Sequence, residues 1–352
     1  MTSSRGTPPD RRAAPGSAPA IRDAIAGCLL GGAVGDAVGA VVEFDSLADI
    51  RRRYGPDGLT GFPSDAGFIT DDTQMTLFTA EGLIRAHSRF ERRHFEYAVD
   101  ELWAAYRRWL GTQQESPAGN GVEPGDGEAC PGLGAEPALR HRRGPGNTCL
   151  SALSGGEPGS VELPVNDSKG CGGVMRVAPV GLVAARPCGL GIASAALTHG
   201  HASGYLSAGA GAEIIARLSG GEGLRAATEA AIEAVMPWPG HEETVAALRA
   251  ALALADREPV PTPEAVATLG EGWVGEEALA IAVYCAVSGG SFEAAVLAAA
   301  NHSGDSDSTA AITGNLLGAA GGRAVVPEAW IAAVVERPVI ERIAAELSAC
   351  FA

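Results

Sequence analysis

Lysine is almost missing from this 352-residue chain, which contains Lys169 alone and carries the rest of its positive charge on arginine. The 42 acidic residues outnumber the 26 basic ones, and the formal net charge is −16. A protein that grips nucleic acid through its phosphates needs a basic face. We therefore expect no nucleic-acid binding.

Paired cysteines are missing as well. The seven cysteines are odd in number and form no C-x-x-C pair, which argues against a disulfide framework and against a structural zinc site. The first 20 residues lack the apolar core of a signal peptide and are typical of a disordered tail. We expect a cytoplasmic monomer in which residues 21–352 form one domain.

Long apolar runs are also scarce. Residues 24–42 form the one run that is long enough to cross a membrane, and Asp36 lies near its centre. Because a carboxylate at the centre of a bilayer is costly, this segment is predicted to be a buried helix and not a membrane span.

Helical spacing of apolar residues dominates the rest of the chain, while strand-like alternation is limited to one weak candidate at residues 160–165. The pattern predicts an all-α domain with functional loops at helix ends. Further helices are predicted at residues 70–86, 95–110 and 327–351. Residues 111–147, rich in Gly and Pro, are predicted to form a long connection.

Glycines recur at every fourth position of the predicted helix at residues 21–42, as Gly27, Gly31, Gly35 and Gly39. Each glycine costs a helix about 1 kcal/mol relative to alanine. A stripe of them therefore indicates that another helix approaches closely, and we expect this helix to be central and to end near Glu43.

Four oxygen-rich stretches interrupt apolar surroundings: Glu43, residues 70–73 (TDDT), residues 166–176 (NDSKGCGGVMR) and residues 301–311 (NHSGDSDSTAA). Clustered carboxylates and hydroxyls suit hard cations such as Mg²⁺, Mn²⁺ or Ca²⁺. Each stretch alone is also typical of a helix cap or a turn. Several carboxylates lie together only where a cation offsets their repulsion, so the four stretches together favour a metal site.

Residues 305–309 (DSDST) also match the D-x-D-x-T nucleophile motif of haloacid-dehalogenase phosphatases. That motif follows an apolar strand near the start of a Rossmann-like domain, whereas these residues lie between predicted helices near the C-terminus. We therefore rank a phosphatase below the metal-site hypothesis.

Six sequence blocks, in order, resemble the ADP-ribosylglycohydrolases, a family that includes dinitrogenase reductase-activating glycohydrolase and the ADP-ribosyl-arginine and ADP-ribosyl-serine hydrolases. The resemblance runs from about residue 21 to residue 321. Its blocks are GCLLGGAVGDAVGAVVEF, ITDDTQMTL, SKGCGGVMRVAPVGL, THGHASGYLSAG, GEGWVGEEALAIAVYCA and NHSGDSDSTAAITGNLLGA.

The resemblance implies a compact orthogonal helical bundle with two Mg²⁺ ions, or Mn²⁺ in some members. The implied metal ligands are Thr70, Asp71, Asp72, Asp305, Asp307 and Ser308. Asp307 matches the carboxylate that bridges both ions, and Glu43 matches a mobile glutamate, so these two are the candidate catalytic residues. The implied substrate-binding residues are Asp167, Ser168, Gly170, Cys171, Gly172, Gly173 and His199.

The resemblance implies a function: Mg²⁺-dependent release of ADP-ribose from a modified protein side chain, arginine first, or from a small ADP-ribosyl compound. Two other functions stay open at this point. One is an ADP-ribose-binding protein without catalysis, and the other is a metal-dependent phosphatase.

Overall fold

A computed structural model describes residues 18–90, 95–114 and 132–352. These residues form sixteen α-helices, α1 to α16 in chain order. Their bounds are Ala18–Gly39, Leu47–Tyr54, Asp71–Phe90, Phe95–Gln113, Asn147–Ser154, Ala178–Val183, Pro187–Ala196, Ala202–Ser219, Leu224–Val235, Glu242–Arg257, Pro263–Val266, Gly275–Ser288, Phe292–Ala300, Ser306–Gly321, Glu328–Ala333 and Arg337–Phe351.

The predicted all-α fold is confirmed. Over the described ranges no strand forms, and the nearest approach to a sheet is one isolated antiparallel bridge between Gly170 and Val274. The strand candidate at residues 160–165 was wrong, since bends and irregular backbone occupy it. The helix predicted at residues 327–351 is two helices, α15 and α16, because Pro338 occupies the first turn of α16, where its missing N–H costs nothing.

The central feature is the contact between α1 and α14. A methyl group added to Gly31 would overlap the carbonyl oxygen of Gly314, and one added to Gly35 would overlap that of Ala310. Asn315 of α14 donates from Nδ2 to the carbonyl oxygen of Cys28 at 2.8 Å. The glycine stripe therefore has the role that its spacing predicted, which is backbone-to-backbone packing of two helices.

The two helices are antiparallel, because Gly27 packs on Gly318 and Gly39 packs on Ser306. The end of α1 consequently lies beside the start of α14. This pairing brings Glu43, in the turn after α1, to the carboxylates that begin α14. Helices α12 and α13 cover other faces of α14, and α16 packs on α1 and α3.

Within the described part of the chain, no helix combines the length and the apolarity that crossing a bilayer requires. Helix α1 begins at Ala18 and therefore includes residues 18–20, the last three residues of the predicted tail. The predicted tail at residues 1–17 and residues 115–131 of the predicted long connection lie outside the described residues.

Gly31→Ala is expected to lower the free energy of unfolding by about 1–3 kcal/mol, because the methyl group meets rigid helix backbone and forces α1 and α14 apart. The measurement is thermal or denaturant unfolding of both proteins. Gly61→Ala is the matched control, since a methyl group there meets no atom within 4 Å. Equal stability of the Gly31→Ala protein and the wild type would contradict this account of the stripe.

Candidate metal centre and substrate loop

Three buried carboxylates form the core of the site. One carboxylate oxygen each from Glu43, Asp305 and Asp307 lies within 4.8 Å of the others. Glu43 lies in the turn after α1, Asp305 is the residue before α14, and Asp307 is in the first turn of α14. The close packing of α1 on α14 is what brings the three together.

Two further carboxylates begin α3 beside this core. Burial, and then the charge of Asp307, raises the pKa of both Asp71 and Asp72. Oδ2 of Asp71 accepts from the amide of Gly146 at 3.3 Å, and the amide of Asp72 donates to Oγ1 of Thr70 at 3.3 Å. Thr70 thus caps α3 and fixes the two carboxylates that follow it.

Asp36 of α1 also holds the start of α3 in place. It is fully buried on α1 and accepts hydrogen bonds from the amide of Thr70 at 3.0 Å and from the amide of Thr73 at 3.1 Å. These bonds tie α1 to the first turn of α3. Asp36 therefore has a structural role at the start of α3.

Burial and mutual repulsion raise the pKa values of these carboxyl groups. Burial, followed by the charges of Asp307 and Asp305, raises the pKa of Glu43 to about 10. Burial and then Asp307 raise the pKa of Asp36 to about 7, although hydrogen bonds from Thr73 and Thr70 oppose the shift. The same causes raise the pKa of Asp71, Asp72 and Asp305 well above their usual range. Full ionisation of this cluster therefore requires a compensating cation.

The donor atoms fit a hard divalent cation. Oδ1 of Asp72 is buried and has no hydrogen-bond partner, which is costly for a carboxylate unless a cation takes that position. Oγ of Ser308 lies 3.6 Å from Sγ of Cys171 and 3.8 Å from Sδ of Met175, and the same hydroxyl interacts with the carboxyl group of Asp305, so it belongs to the acidic core. Oxygen ligands of this kind are those that Mg²⁺, Mn²⁺ and Ca²⁺ prefer.

The predicted substrate loop, residues 167–173, lies directly against the acidic core. Sγ of Cys171 donates to Oδ2 of Asp305 at 2.8 Å, and its backbone amide donates to the carbonyl oxygen of Trp273 at 3.2 Å. Burial and the charge of Asp305 raise the pKa of the Cys171 thiol, which keeps it protonated as a donor. Cys171 therefore contacts the acidic core itself, in addition to belonging to the loop.

Hydrogen bonds and an ion pair fix the ends of this loop. Oγ of Ser168 lies 2.9 Å from Oγ1 of Thr148 and accepts from the amide of Gly170 at 3.3 Å. Nζ of Lys169 lies 2.9 Å from Oε1 of Glu276 and 3.0 Å from Oε2 of Glu243. The one lysine of the chain thus ties the loop to α10 and α12.

His199 lies buried behind the loop. A methyl group added to Gly172 would lie 2.9 Å from Cε1 of the imidazole, so the small residues of the 3₁₀ turn Cys171–Gly173 leave room for this ring. Asp167, by contrast, is exposed, and no hydrogen bond or ion pair joins it to another residue in the described ranges. Among the predicted substrate-binding residues, Cys171 contacts the acidic core, His199 packs against the loop, and Asp167 is exposed to solvent.

Known proteins are similar to this chain in fold and in sequence. A solved structure described as an ADP-ribosylglycohydrolase-related protein complex matches with a TM-score of 0.61 over 94% of this chain and 99% of that chain, at 21% sequence identity. An uncharacterized protein from Archaeoglobus fulgidus is 29% identical over 318 residues, which are 87% of this chain and 90% of that protein. The model of the ADP-ribosylglycohydrolase family matches residues 17–352.

The chain belongs to the ADP-ribosylglycohydrolase family. The resemblance in the six sequence blocks is thereby confirmed. Membership of the ADP-ribosylglycohydrolase family supports a hydrolase activity on glycosyl bonds of ADP-ribose, and the buried acidic cluster is one that can hold metal.

Sequence reasoning missed several residues around this ADP-ribosylglycohydrolase site. Oδ1 of Asn166 accepts from the amides of Ser168 and Gly200 at 3.0 Å, and Nδ2 of Asn166 donates to the carbonyl oxygen of Thr198 at 2.8 Å. Asn166 thus links the loop to the segment that carries His199. The N-x-S spacing, which is typical of an Asx turn, was the available signal.

An exposed aromatic pair was also missed. The rings of Phe44 and Trp273 are stacked, with centroids 6.2 Å apart and planes 20° apart. Phe44 directly follows Glu43, and Trp273 accepts the hydrogen bond from Cys171. Because the two residues are 229 positions apart, no local pattern connects them. The pair joins the segment that carries Glu43 to the segment that supports the loop.

Stability of the metal-free protein is expected to fall as the pH rises. Carboxyl groups titrate near 4 in the unfolded chain, but at about 7 for Asp36 and about 10 for Glu43 in the folded one, so the folded state holds more protons in that interval. The stability present below pH 4 is therefore lost progressively through pH 7 and beyond. Thermal unfolding of chelated protein between pH 5 and 8 measures this trend.

Added Mg²⁺ is expected to raise the melting temperature more at pH 8 than at pH 5, because the ion must displace these protons in order to bind. NaCl at equal ionic strength is the control. An increase in melting temperature that is the same at both pH values, or the same with NaCl, would show that the cluster does not bind the ion.

Proposed function

We propose that this protein is a Mg²⁺-dependent ADP-ribosyl hydrolase, with Mn²⁺ as an alternative metal. It cleaves the anomeric bond between ADP-ribose and a modified protein side chain, arginine first, or a small acceptor, and releases ADP-ribose. The observation that carries the proposal is the buried cluster of Glu43, Asp305 and Asp307 in a chain of this family.

The residues that would hold the metal are Thr70, Asp71, Asp72, Asp305, Asp307 and Ser308, and Asp307 would be the carboxylate shared by two ions. Bound ions would supply positive charge that orients the ribose hydroxyls and the attacking water. The unpartnered Oδ1 of Asp72 and the pKa values raised by burial and repulsion support this ligand set.

The loop from Ser168 to Gly173 is proposed to bind the diphosphate and its neighbouring ribose. Its glycines allow phosphate oxygens to approach backbone N–H groups closely. The bonds from Lys169 to Glu276 and from the Cys171 amide to Trp273 hold the loop beside the acidic core. Such an arrangement orients the anomeric carbon toward the carboxylates.

Glu43 is proposed to act as general base. Cleavage of an anomeric bond passes through an oxocarbenium-like transition state, and the attacking water must lose a proton. A carboxylate oxygen of Glu43 lies within 4.8 Å of oxygens of Asp305 and Asp307. Glu43 is therefore at the proposed metal site, and its carboxylate can accept that proton. Bound ions would lower the pKa of Glu43 from its raised metal-free value and so would favour the ionised form that accepts a proton.

A substrate panel tests the function. Peptides carrying ADP-ribosyl-arginine or ADP-ribosyl-serine, a small ADP-ribosyl compound and a phosphoester set are incubated with Mg²⁺ or Mn²⁺, and free ADP-ribose and phosphate are measured. We expect ADP-ribose from the arginine peptide, and no turnover after chelation with EDTA. Activity that survives chelation would overturn the metal role; phosphate without ADP-ribose would favour a phosphatase, and binding without turnover a silent ADP-ribose-binding protein.

Glu43→Gln is expected to lower kcat about 100-fold or more, because the amide cannot accept the proton. Binding of Mg²⁺, measured by calorimetry, is expected to persist through the aspartates. The matched control is Glu229→Gln, which makes the same change on an exposed face of α9. Full hydrolysis by the Glu43→Gln protein with intact metal binding would remove Glu43 from this role.

A further inference from the structure

A buried arginine lies beneath the substrate loop with only neutral partners. Arg176 is fully buried, and its Nη2 donates to the carbonyl oxygen of Ser194 at 3.1 Å and to Oγ1 of Thr198 at 2.8 Å. Its Nη1 lies 3.4 Å from Sγ of Cys149, and its guanidinium carbon lies 4.2 Å from the centre of the Tyr106 ring. No carboxylate among the described residues forms an ion pair with it.

The hydroxyl of Thr198 connects this cation to His199. Its Oγ1 lies 2.8 Å from Nδ1 of His199 and 3.4 Å from the carbonyl oxygen of Ala195. A hydroxyl has one proton to donate, and the shorter contact favours Nδ1 as its acceptor. Arg176 donates to the same oxygen, and its positive charge attracts a lone pair. A lone pair on Nδ1 is therefore favoured over a proton.

The other ring nitrogen faces the loop. Nε2 of His199 would lie 3.4 Å from a methyl group on Gly170 and 3.1 Å from one on Gly172, so both glycines leave the space beside it open. The ring itself is 1% exposed. Among the described residues no hydrogen bond joins Nε2 of His199 to a protein acceptor, so this nitrogen is available to a group that enters beside the loop.

We propose that Thr198 and Arg176 are positioning residues that hold His199 as a neutral imidazole with its proton on Nε2. His199 then donates a hydrogen bond to an oxygen of the ADP-ribosyl ligand at Gly170 and Gly172, a step that rests on the proposed function. The donor is fixed in direction, so it recognises an acceptor oxygen such as that of a phosphate and rejects a donor group.

The electrostatic surroundings agree with this arrangement. Burial, and then the charge of Arg176, lower the pKa of His199 to about 3. The imidazole is consequently uncharged throughout the physiological range, and its single proton is free to be directed by the hydrogen bond at Nδ1.

Nitrogen NMR of the ¹⁵N-histidine-labelled protein tests the proton position. In the wild type we expect Nε2 of His199 to show the shift of a protonated nitrogen, and Nδ1 that of an unprotonated nitrogen accepting a hydrogen bond. Thr198→Val is expected to abolish the hydrogen-bond displacement of the Nδ1 resonance, and Thr198→Ser to restore it. A wild-type protein with its proton on Nδ1 would overturn the proposal.

Calorimetry with ADP-ribose and MgCl₂ tests the consequence. Thr198→Val is expected to weaken binding about 3- to 10-fold, the range of one hydrogen bond, with Thr198→Ser near wild type. Thr228→Val is the control, since its buried hydroxyl donates only to the carbonyl oxygen of Leu224. Melting temperatures verify that each variant is folded.

A double-mutant cycle separates positioning from simple packing. If Thr198 acts through His199, Thr198→Val is expected to have no further effect in a His199→Phe background. Additive losses, or unchanged affinity in the Thr198→Val protein, would overturn the positioning role. A wild type that shows the expected His199 spectrum but binds no ADP-ribose would contradict the proposed function while leaving the proton assignment intact.

Discussion

The whole site depends on one contact, in which two helices meet backbone against backbone. Glycines on α1 and α14 let the two backbones touch, and carbonyl groups of each helix occupy the space where β-carbons would otherwise lie. Asn315 adds a side-chain hydrogen bond across the same interface. Such contact defines the position of one helix relative to the other more strictly than interdigitated side chains do. It sets the distance between the turn that carries Glu43 and the start of α14, which carries Asp305 and Asp307. The glycines lower the intrinsic stability of the two helices, but the close contact that they allow determines where the charged groups of the site lie.

The same placement works against the stability of the metal-free chain. Burial of these carboxyl groups, followed by their mutual repulsion, raises their pKa values. Hydrogen bonds from Thr70 and Thr73 satisfy Asp36, and the Cys171 thiol satisfies one oxygen of Asp305, but Oδ1 of Asp72 is left without a partner. Unsatisfied polar groups of this kind are typical of functional sites, where a bound ligand provides the missing partner. The packing of the helices around α1 and α14 stabilises the fold and offsets the destabilising effect of the buried carboxylates.

Local patterns predicted what they could encode. The four-residue glycine repeat indicated a helix contact, and the oxygen-rich stretches indicated a cluster that the structure brings together at Glu43, Asp305 and Asp307. Contacts between distant segments escaped prediction, because no spacing rule links Cys171 to Asp305 or Phe44 to Trp273. Short helices such as α2 and α5 also escaped, since eight residues carry too little periodicity to distinguish them from loops. The proton-directing role of Thr198 depends on a buried arginine 22 residues away, which composition alone cannot reveal.

Lys169, the only lysine, ends in an ion pair with Glu243 and Glu276 at the edge of the substrate loop. Its side chain is 38% exposed, so reagents in solvent reach it. An amine-directed fluorophore or cross-linker therefore has a single side-chain target in the entire chain. The rate at which that amine is labelled therefore measures how accessible the edge of this loop is to solvent.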